Sequence, residues 1–275
     1  MFDSVELYDN AYGNFADSIL EEIRRAVFGE DIGQNSWLTA DEYRRFFKWL
    51  ELDSSSNVLE IACGSGGPAL FMARTTGCRV LGIDNNENGF ATANKMAEEQ
   101  GLAAKARFEL LDASQPLGFE NEIFDSIACI DAINHLPNRS RVLAEWQRVL
   151  KPNGRLLFTD PIVVTGSLSA GEIAVRSSIG YFLFVPVGEN ERLLKEAGFE
   201  MLRREDATEN EAQISKRWLG ARAKRRSDLI KIEGEDTFER LQRFLAVVYR
   251  LSSERRLSRF VFVAGKTNHG RSQIF

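Results

Sequence analysis

After a short apolar run the chain reads EIACGSGGPAL, with glycines at 64, 66 and 67. Glycines so placed let the backbone turn tightly and approach a ligand closely, and a helix starting there offers free amides at its positive dipole end. Three acids stand in or at the ends of successive β-rich runs: Glu60 four residues before Gly64, Asp84 closing RVLGID, and Asp112 closing ARFELLD. Asp84 is placed for ribose hydroxyls. Asp112, with the Ala113 amide beside it, suits an adenine amino group. Farther on, CIDAINHLPN carries His135, one of two histidines in the 275 residues. Its imidazole can take a proton near neutral pH. Asp131, four residues earlier, can orient that ring or face a cationic substrate, although a histidine here can equally do no more than bond the backbone of a turn.

These residues need a scaffold, and the pattern around them supplies one. NVLEIA (57–62), RVLGID (79–84), ARFELLD (106–112), FDSIACI (124–130) and GRLLFTD (154–160) read as strands alternating with helical stretches. Such alternation predicts right-handed βαβ units in an α/β, Rossmann-like, doubly wound sheet, with ligands at the carboxyl ends of the strands. FEMLRRE (199–205) and SRFVFVAG (258–265) add an antiparallel pair at one edge, for seven strands in all. A helical cap (1–50), in which Trp37, Tyr43, Phe46, Phe47 and Trp49 cluster, then precedes a main domain (51–275). Segments 161–198 and 206–257 read as insertions over the strand ends, where a lid belongs. The tail 267–275, with His269, has little to bury and is expected to fray.

Composition narrows the class. Hydrophobic residues at 44% and charged residues at 27% suit a soluble globular protein, with no apolar run long enough for a membrane helix. The first residues show no targeting pattern, which makes the cytoplasm the expected location. Cys63, Cys78 and Cys129 lack metal-type spacing, so no metal is expected. The net charge of −5 argues against nucleic acid. The basic segment 216–231 reads as a solvated helix face around Trp218, Leu219, Leu229 and Ile230, or else as a phosphate-binding patch. Monomer and homodimer are both compatible.

The spacing Gly64, Gly66, Ala69 also satisfies the G-x-G-x-x-G/A fingerprint, so the loop by itself leaves a nicotinamide enzyme open. Glu60 within the first strand, Asp84, Asp112 and the stretch EWQRVLKPNGRLLFTD together resemble the class I S-adenosylmethionine-dependent methyltransferases over roughly 55–165. That resemblance implies S-adenosylmethionine as cofactor, contacts to it from Gln34, Glu60, Ala62, Gly64, Gly66, Asp84, Asn85, Asp112 and Ala113, and a small-molecule acceptor.

FGEDIGQNSW (28–37) and DAINHLPN (131–138) further resemble the phosphoethanolamine and sarcosine/dimethylglycine N-methyltransferases. In the phosphobase enzymes the matching histidine pairs with an N-terminal tyrosine over the transfer site, which implies His135 with Tyr12, or Tyr8 in its place, as catalytic residues, to which the position of Asp131 adds a third. The chain departs from the phosphobase pattern where the phosphate would be held, with Pro161, Gly180, Phe182 and Tyr249 at those places. An amino-acid-like amine is therefore the expected acceptor rather than a phosphobase. Arg176 reads either as a carboxylate anchor or as an exposed residue on an insertion helix. Trp37, Tyr181, Phe182 and Phe184 read either as a cage for a methylated ammonium or as core, and Tyr249 is a further substrate-contact candidate. A C- or O-methyltransferase of a quinone or other secondary metabolite fits the same residues. A nucleic-acid methyltransferase using the basic segment fits fewer of them.

Overall fold

The five central runs form strands β1 (Asn57–Ile61), β2 (Arg79–Asp84), β3 (Ala106–Leu110), β4 (Phe124–Cys129) and β5 (Leu150–Val164), paired in parallel. The computed structural model describes residues 6–267, so His269 and all but the first residue of the tail lie outside the described residues. The sheet order is β3-β2-β1-β4-β5-β8-β7, where β7 is Phe199–Asp206 and β8 is Leu257–Lys266. Strand β8 runs antiparallel to both β5 and β7. The edge pair is thus present as expected.

Period-two alternation explains why both sheet faces are covered. In β5, Leu156 and Phe158 enter one core and Leu157 the other; in β8, Phe260, Phe262 and Ala264 oppose Val261 and Val263. Helices α3 (Ala40–Trp49), α4 (Gly67–Thr76) and α5 (Glu87–Glu99) cover one face, and α6 (Arg139–Val149) and α8 (Glu189–Glu196) the other. A third apolar cluster lies apart from the sheet. It joins Ile23 and Phe28 of α2 (Ser18–Phe28) to Ile214 of α9 (Thr208–Lys224), Leu229 of α10 (Arg226–Glu233) and Phe244 of α11 (Glu235–Ser253).

Three details differ from the sequence reading. Strand β5 runs on through Pro161 to Val164, because the pairing with β8 shifts register between Asp160 and Val163 and the proline's missing N–H costs no ladder bond there. An eighth strand, β6 (Val185–Pro186), pairs with the end of β5 inside the segment read as helix and loop. The N-terminal aromatics also divide. Tyr43, Phe46 and Phe47 pack on the sheet, whereas Trp37 joins the third cluster. Among the described residues no helix is long and apolar enough to cross a membrane.

Candidate active site

Beyond β4 the backbone turns through Asp131, at φ 51°, into a short 3-10 turn, Ile133–His135. Asn134 and His135 thereby enter the wall of a cavity of about 150 Å³. Other walls come from α1 (Glu6–Gly13), α2, α7 (Ala170–Arg176) and α9 to α11. A capping box between Ser169 and Glu172 starts α7, and Arg176 is its last residue, where a cation meets the negative end of the helix.

The state of His135 follows from its partners. Nδ1 lies 2.9 Å from the Tyr181 carbonyl oxygen, which can only accept, so Nδ1 carries the hydrogen and Nε2 keeps its lone pair. Nε2 faces the Tyr8 hydroxyl at 3.4 Å. Burial, opposed by the bond to Tyr181, pushes the imidazole down to about 4, and burial pushes the Tyr8 phenol up to about 12. At neutral pH the pair is uncharged. Tyr8, rather than Tyr12, is the tyrosine at His135. The two tyrosines sit one helical turn apart and stack with centroids 5.9 Å apart. Tyr12 reaches the other way: a Cβ placed on Gly64 would lie 2.7 Å from its hydroxyl. Both tyrosines line the cavity, so a continuous path of contacts links the glycine loop to His135.

Asp131 lines the cavity without touching His135 through any hydrogen bond. Its Oδ1 accepts from Arg259 Nε at 2.7 Å and the Thr159 hydroxyl at 2.7 Å, and its Oδ2 accepts from the Trp37 amide at 2.9 Å. The expected orienting role falls instead to the Tyr181 carbonyl. Arg259, completely buried, also donates to Glu42 at 2.7 Å, and Glu42 accepts from Asn210, which donates to the Trp37 carbonyl as well.

The cofactor-type residues gather around the glycine loop. Gly64 and Gly66 take φ of 55° and 78°, and the Gly64 amide donates to Asp84 Oδ2 at 2.8 Å. Asp84 Oδ1 accepts from the Asn86 amide; Asn85 and Asp112 are exposed, and Ala113 is buried beside Asp112. Ala62, before the glycines, holds φ 56°, a conformation that costs an L-residue about 1 kcal/mol or more. Ala62→Gly is expected to stabilise the fold by about 1 kcal/mol at most, after the extra chain entropy of glycine, and urea denaturation checks it. Two residues of this group are turned elsewhere. Glu60 is buried on the α3 side of the sheet, accepts from the Tyr43 hydroxyl at 2.9 Å, and is pushed by burial up to about 8. Gln34 touches the cavity, but its amide is spent on its own loop, accepting from the Ile32 amide and donating to the Glu30 and Leu38 carbonyls.

The remaining substrate candidates separate cleanly. Trp37 lines the cavity, edge-on to Trp218. Arg176 is not a surface residue: it is buried in the wall with Nη2 3.6 Å from Glu211 and no hydrogen-bond partner. Burial pushes the Glu211 carboxyl up, against the pull of Arg176. The Arg176 guanidinium sits 5.0 Å from the ring centres of both Phe182 and Phe244. Of Tyr181, the backbone carbonyl is the part shown at His135, and Phe184 packs against Phe182 behind the wall. Tyr249 lies outside the cavity, its ring 5.6 Å from Lys216 Nζ. Within the basic segment Arg222 pairs with Glu233, Arg225 with Glu22, and Arg226 with Glu235 and Glu239, as in the helix-face reading.

Sequence reasoning passed over Asn134, Arg259 and the apolar cavity wall of Ile179, Phe244 and Leu245. Arg259 gave a signal, since a charge within SRFVFVAG needs a buried partner.

A family model described as a methyltransferase domain matches residues 52–179. The chain is 30% identical over 210 residues to the 27-O-demethylrifamycin SV methyltransferase of Amycolatopsis mediterranei, covering 72% of this chain and 75% of that protein. It is 34% identical over 166 residues to the sterol 24-C-methyltransferase of Saccharomyces cerevisiae, spanning 57% of this chain and 42% of that longer protein. In fold it resembles a Haemonchus contortus phosphoethanolamine N-methyltransferase solved with S-adenosyl-L-methionine, with a TM-score of 0.76 at 20% identity over 93% of this chain and 60% of the other.

Proposed function

Because the chain belongs to the class I S-adenosylmethionine-dependent methyltransferases, we propose that it methylates a hydroxyl oxygen on a largely apolar small molecule. The observation that carries this reading is the cavity's mixed lining: apolar Leu20, Ile23, Trp37, Ile179, Leu241 and Leu245 face it together with uncharged His135, Tyr8 and the Arg176 guanidinium. A volume near 150 Å³ accommodates about one six-membered ring. An ammonium would meet Arg176 as a like charge, and two of the rings that could cage it already carry that guanidinium. Of the two buried carboxylates near Arg176 and His135, Asp131 is neutralised by Arg259, and burial pushes Glu211 up toward its protonated form. These features favour oxygen over the amine that the sequence suggests. The rifamycin relative's name supports the same choice.

The residues around the loop fit the cofactor. Asp84 accepts from the backbone amides of Gly64, Asn86 and Asn85, and a carboxylate's four lone-pair sites still leave room for a diol hydroxyl; the Asn85 side chain is exposed beside it, and Asp112 with the Ala113 amide can meet an adenine edge. Bound there, S-adenosylmethionine supplies a methyl group on a cationic sulfur, whose departing bond leaves its electron pair on that sulfur. The nicotinamide reading of the glycine spacing is thereby set aside.

The Tyr181 carbonyl holds the ring, and His135 Nε2 draws off the acceptor's proton through the Tyr8 hydroxyl that faces it, Tyr8 passing its own proton to Nε2 as it takes the acceptor's, while Tyr12 stands between loop and acceptor. Helices α2 and α9 to α11 act as the cover that excludes water from this cavity. Methyl transfer from labelled S-adenosylmethionine to phenols, aliphatic alcohols and amines tests the acceptor, and labelling of amines alone would sink the oxygen reading. Asp84→Ala is expected to weaken S-adenosylhomocysteine binding about 10- to 100-fold by calorimetry, the worth of charged hydrogen bonds.

A further inference from the structure

Two polar side chains of the cavity wall differ in what they leave open. Asn134 has no hydrogen-bond partner for Oδ1 or Nδ2, but neither atom reaches open space. The ion pair of Arg222 and Glu233, which also lines the cavity, does. Both side chains are more than nine-tenths buried, at 6% and 7% exposure. Arg222 Nη2 donates to Glu233 Oε1, whereas Arg222 Nη1 and Glu233 Oε2 have no hydrogen-bond partner among the described residues and keep accessible surface. Gly234 sets the pair in place. At φ 80° it ends α10 and lets α11 begin at once, which brings Glu233 against Arg222 of α9.

Helix α11 gives the pair's position relative to the transfer group. Arg222 lies 5.5 Å from the Phe238 ring centre and Arg176 lies 5.0 Å from that of Phe244. Those two positions on α11 are separated by about 9 Å along the helix axis. Leu241, between them, lines the cavity together with Ile232 and Leu245. His135 belongs with Arg176, since both pack on Phe182, the imidazole with its centroid 4.6 Å from that ring.

We infer that Arg222 and Glu233 form a second polar subsite of the acceptor cavity, which binds an uncharged hydroxyl or carboxamide of the acceptor away from the group that is methylated. The acceptor is then a short molecule with two polar ends and an apolar middle. The argument is one of matching donors to acceptors. Nη1 requires an acceptor and Oε2 a donor, so the group between them must be both. A hydroxyl meets both demands, and so does a carboxamide. An ether or ketone leaves Oε2 unmet. A carboxylate brings a second negative charge to Oε2, and an ammonium a second positive charge to Nη1. The proton that leaves through Tyr8 belongs to the other end of the molecule, so the two ends make separate demands.

This subsite rests on the reading of the cavity as the acceptor site for an oxygen, and the test separates the two. Five para-substituted phenols that differ at the end of a two-carbon arm are compared: tyrosol with a hydroxyl, para-hydroxyphenylpropionamide with a carboxamide, para-propylphenol with a methyl, tyramine with an ammonium and para-hydroxyphenylpropionate with a carboxylate. Binding is read by calorimetry with S-adenosylhomocysteine present, and methyl transfer with labelled S-adenosylmethionine. Tyrosol or the propionamide should bind at least about tenfold more tightly than para-propylphenol, the size of one satisfied buried hydrogen bond, and both charged compounds should bind more weakly than either. Arg222→Met combined with Glu233→Leu removes the ion pair whole, which strands no charge in the wall. That variant should bind para-propylphenol at least as tightly as tyrosol. Equal binding of all five compounds, tighter binding of para-propylphenol or of a charged compound by the intact protein, no binding of any at millimolar concentration, or an undiminished tyrosol preference in the double variant would each overturn the subsite. The comparison in the intact protein decides even where the variant does not fold. Methyl transfer to the tyramine nitrogen and to no phenol oxygen would overturn the oxygen reading, while the binding comparison still judges the subsite.

Discussion

Replacing His135 by Gln is expected to lower kcat about 10²- to 10⁴-fold, the range for loss of a general base, while S-adenosylhomocysteine affinity stays within about twofold. The split follows from position: His135 lies on the acceptor cavity, and the cofactor-type residues lie around the loop at Gly64 and Asp84. Glutamine keeps a donor for the Tyr181 carbonyl, so a large kcat loss cannot be assigned to a released turn. Equal losses in kcat and cofactor affinity would mean that the imidazole only holds the backbone. The pH profile adds a second check. Burial lowers the imidazole to about 4, so the base stays unprotonated down to about pH 5, and kcat/KM should remain level from neutral pH to there before falling. A limb between pH 6 and 7 would show that another group is the base or that the working cavity is wet.

The same burial sets a stability signature. The folded pKa of His135 is depressed below the ordinary histidine value of 6.5, so the unfolded chain takes up the proton first. The stabilising contribution is whole above pH 6.5 and is lost as pH falls toward about 4, by an amount on the order of 3 kcal/mol from the size of the shift. His135→Gln should remove that acid sensitivity from the denaturation midpoint.

The sequence makes the central strands legible because their apolar runs have a short period and sharp ends. It also makes Gly64, Asp84, Asp112 and His135 legible, because each stands at a strand end where the fold brings ligands. It leaves Tyr8 and Tyr12 undivided, since a four-residue spacing on one helix puts both on the same face, and only the docking of α1 decides which meets His135. Arg176 is hidden for a similar reason. Its burial depends on α7 docking against α11 and on Glu211 from α9, elements far apart in the chain. Pro161 suggests a strand end, yet a register shift against β8 absorbs it. Asn134 lies within the quoted motif and is silent there, because an unmet hydrogen bond is a property of surroundings.

Arg259→Leu carries the largest expected loss of stability, about 3 to 5 kcal/mol, the cost of stripping the cation from buried carboxylates. Arg259 projects from β8 with no exposure and bridges Asp131 after β4 to Glu42 on α3, each at 2.7 Å. Burial by itself pushes Glu42 up and the Arg259 charge pulls it back, so leucine would leave two carboxylates facing each other in a dry interior. The damage should spread to the cavity, since Asp131 also holds the Trp37 amide and Glu42 holds Asn210 against the Trp37 carbonyl. Urea denaturation of Arg259→Leu, compared with Arg259→Leu combined with Asp131→Asn and Glu42→Gln, separates lost charge pairing from lost packing. If pairing dominates, the triple variant regains most of the stability, because neutral amides need no cation. A single variant costing less than about 1 kcal/mol would mean that water reaches this cluster. In that case Asp131 would be free to turn its charge toward the cavity, and the argument against a cationic acceptor would lose one of its supports.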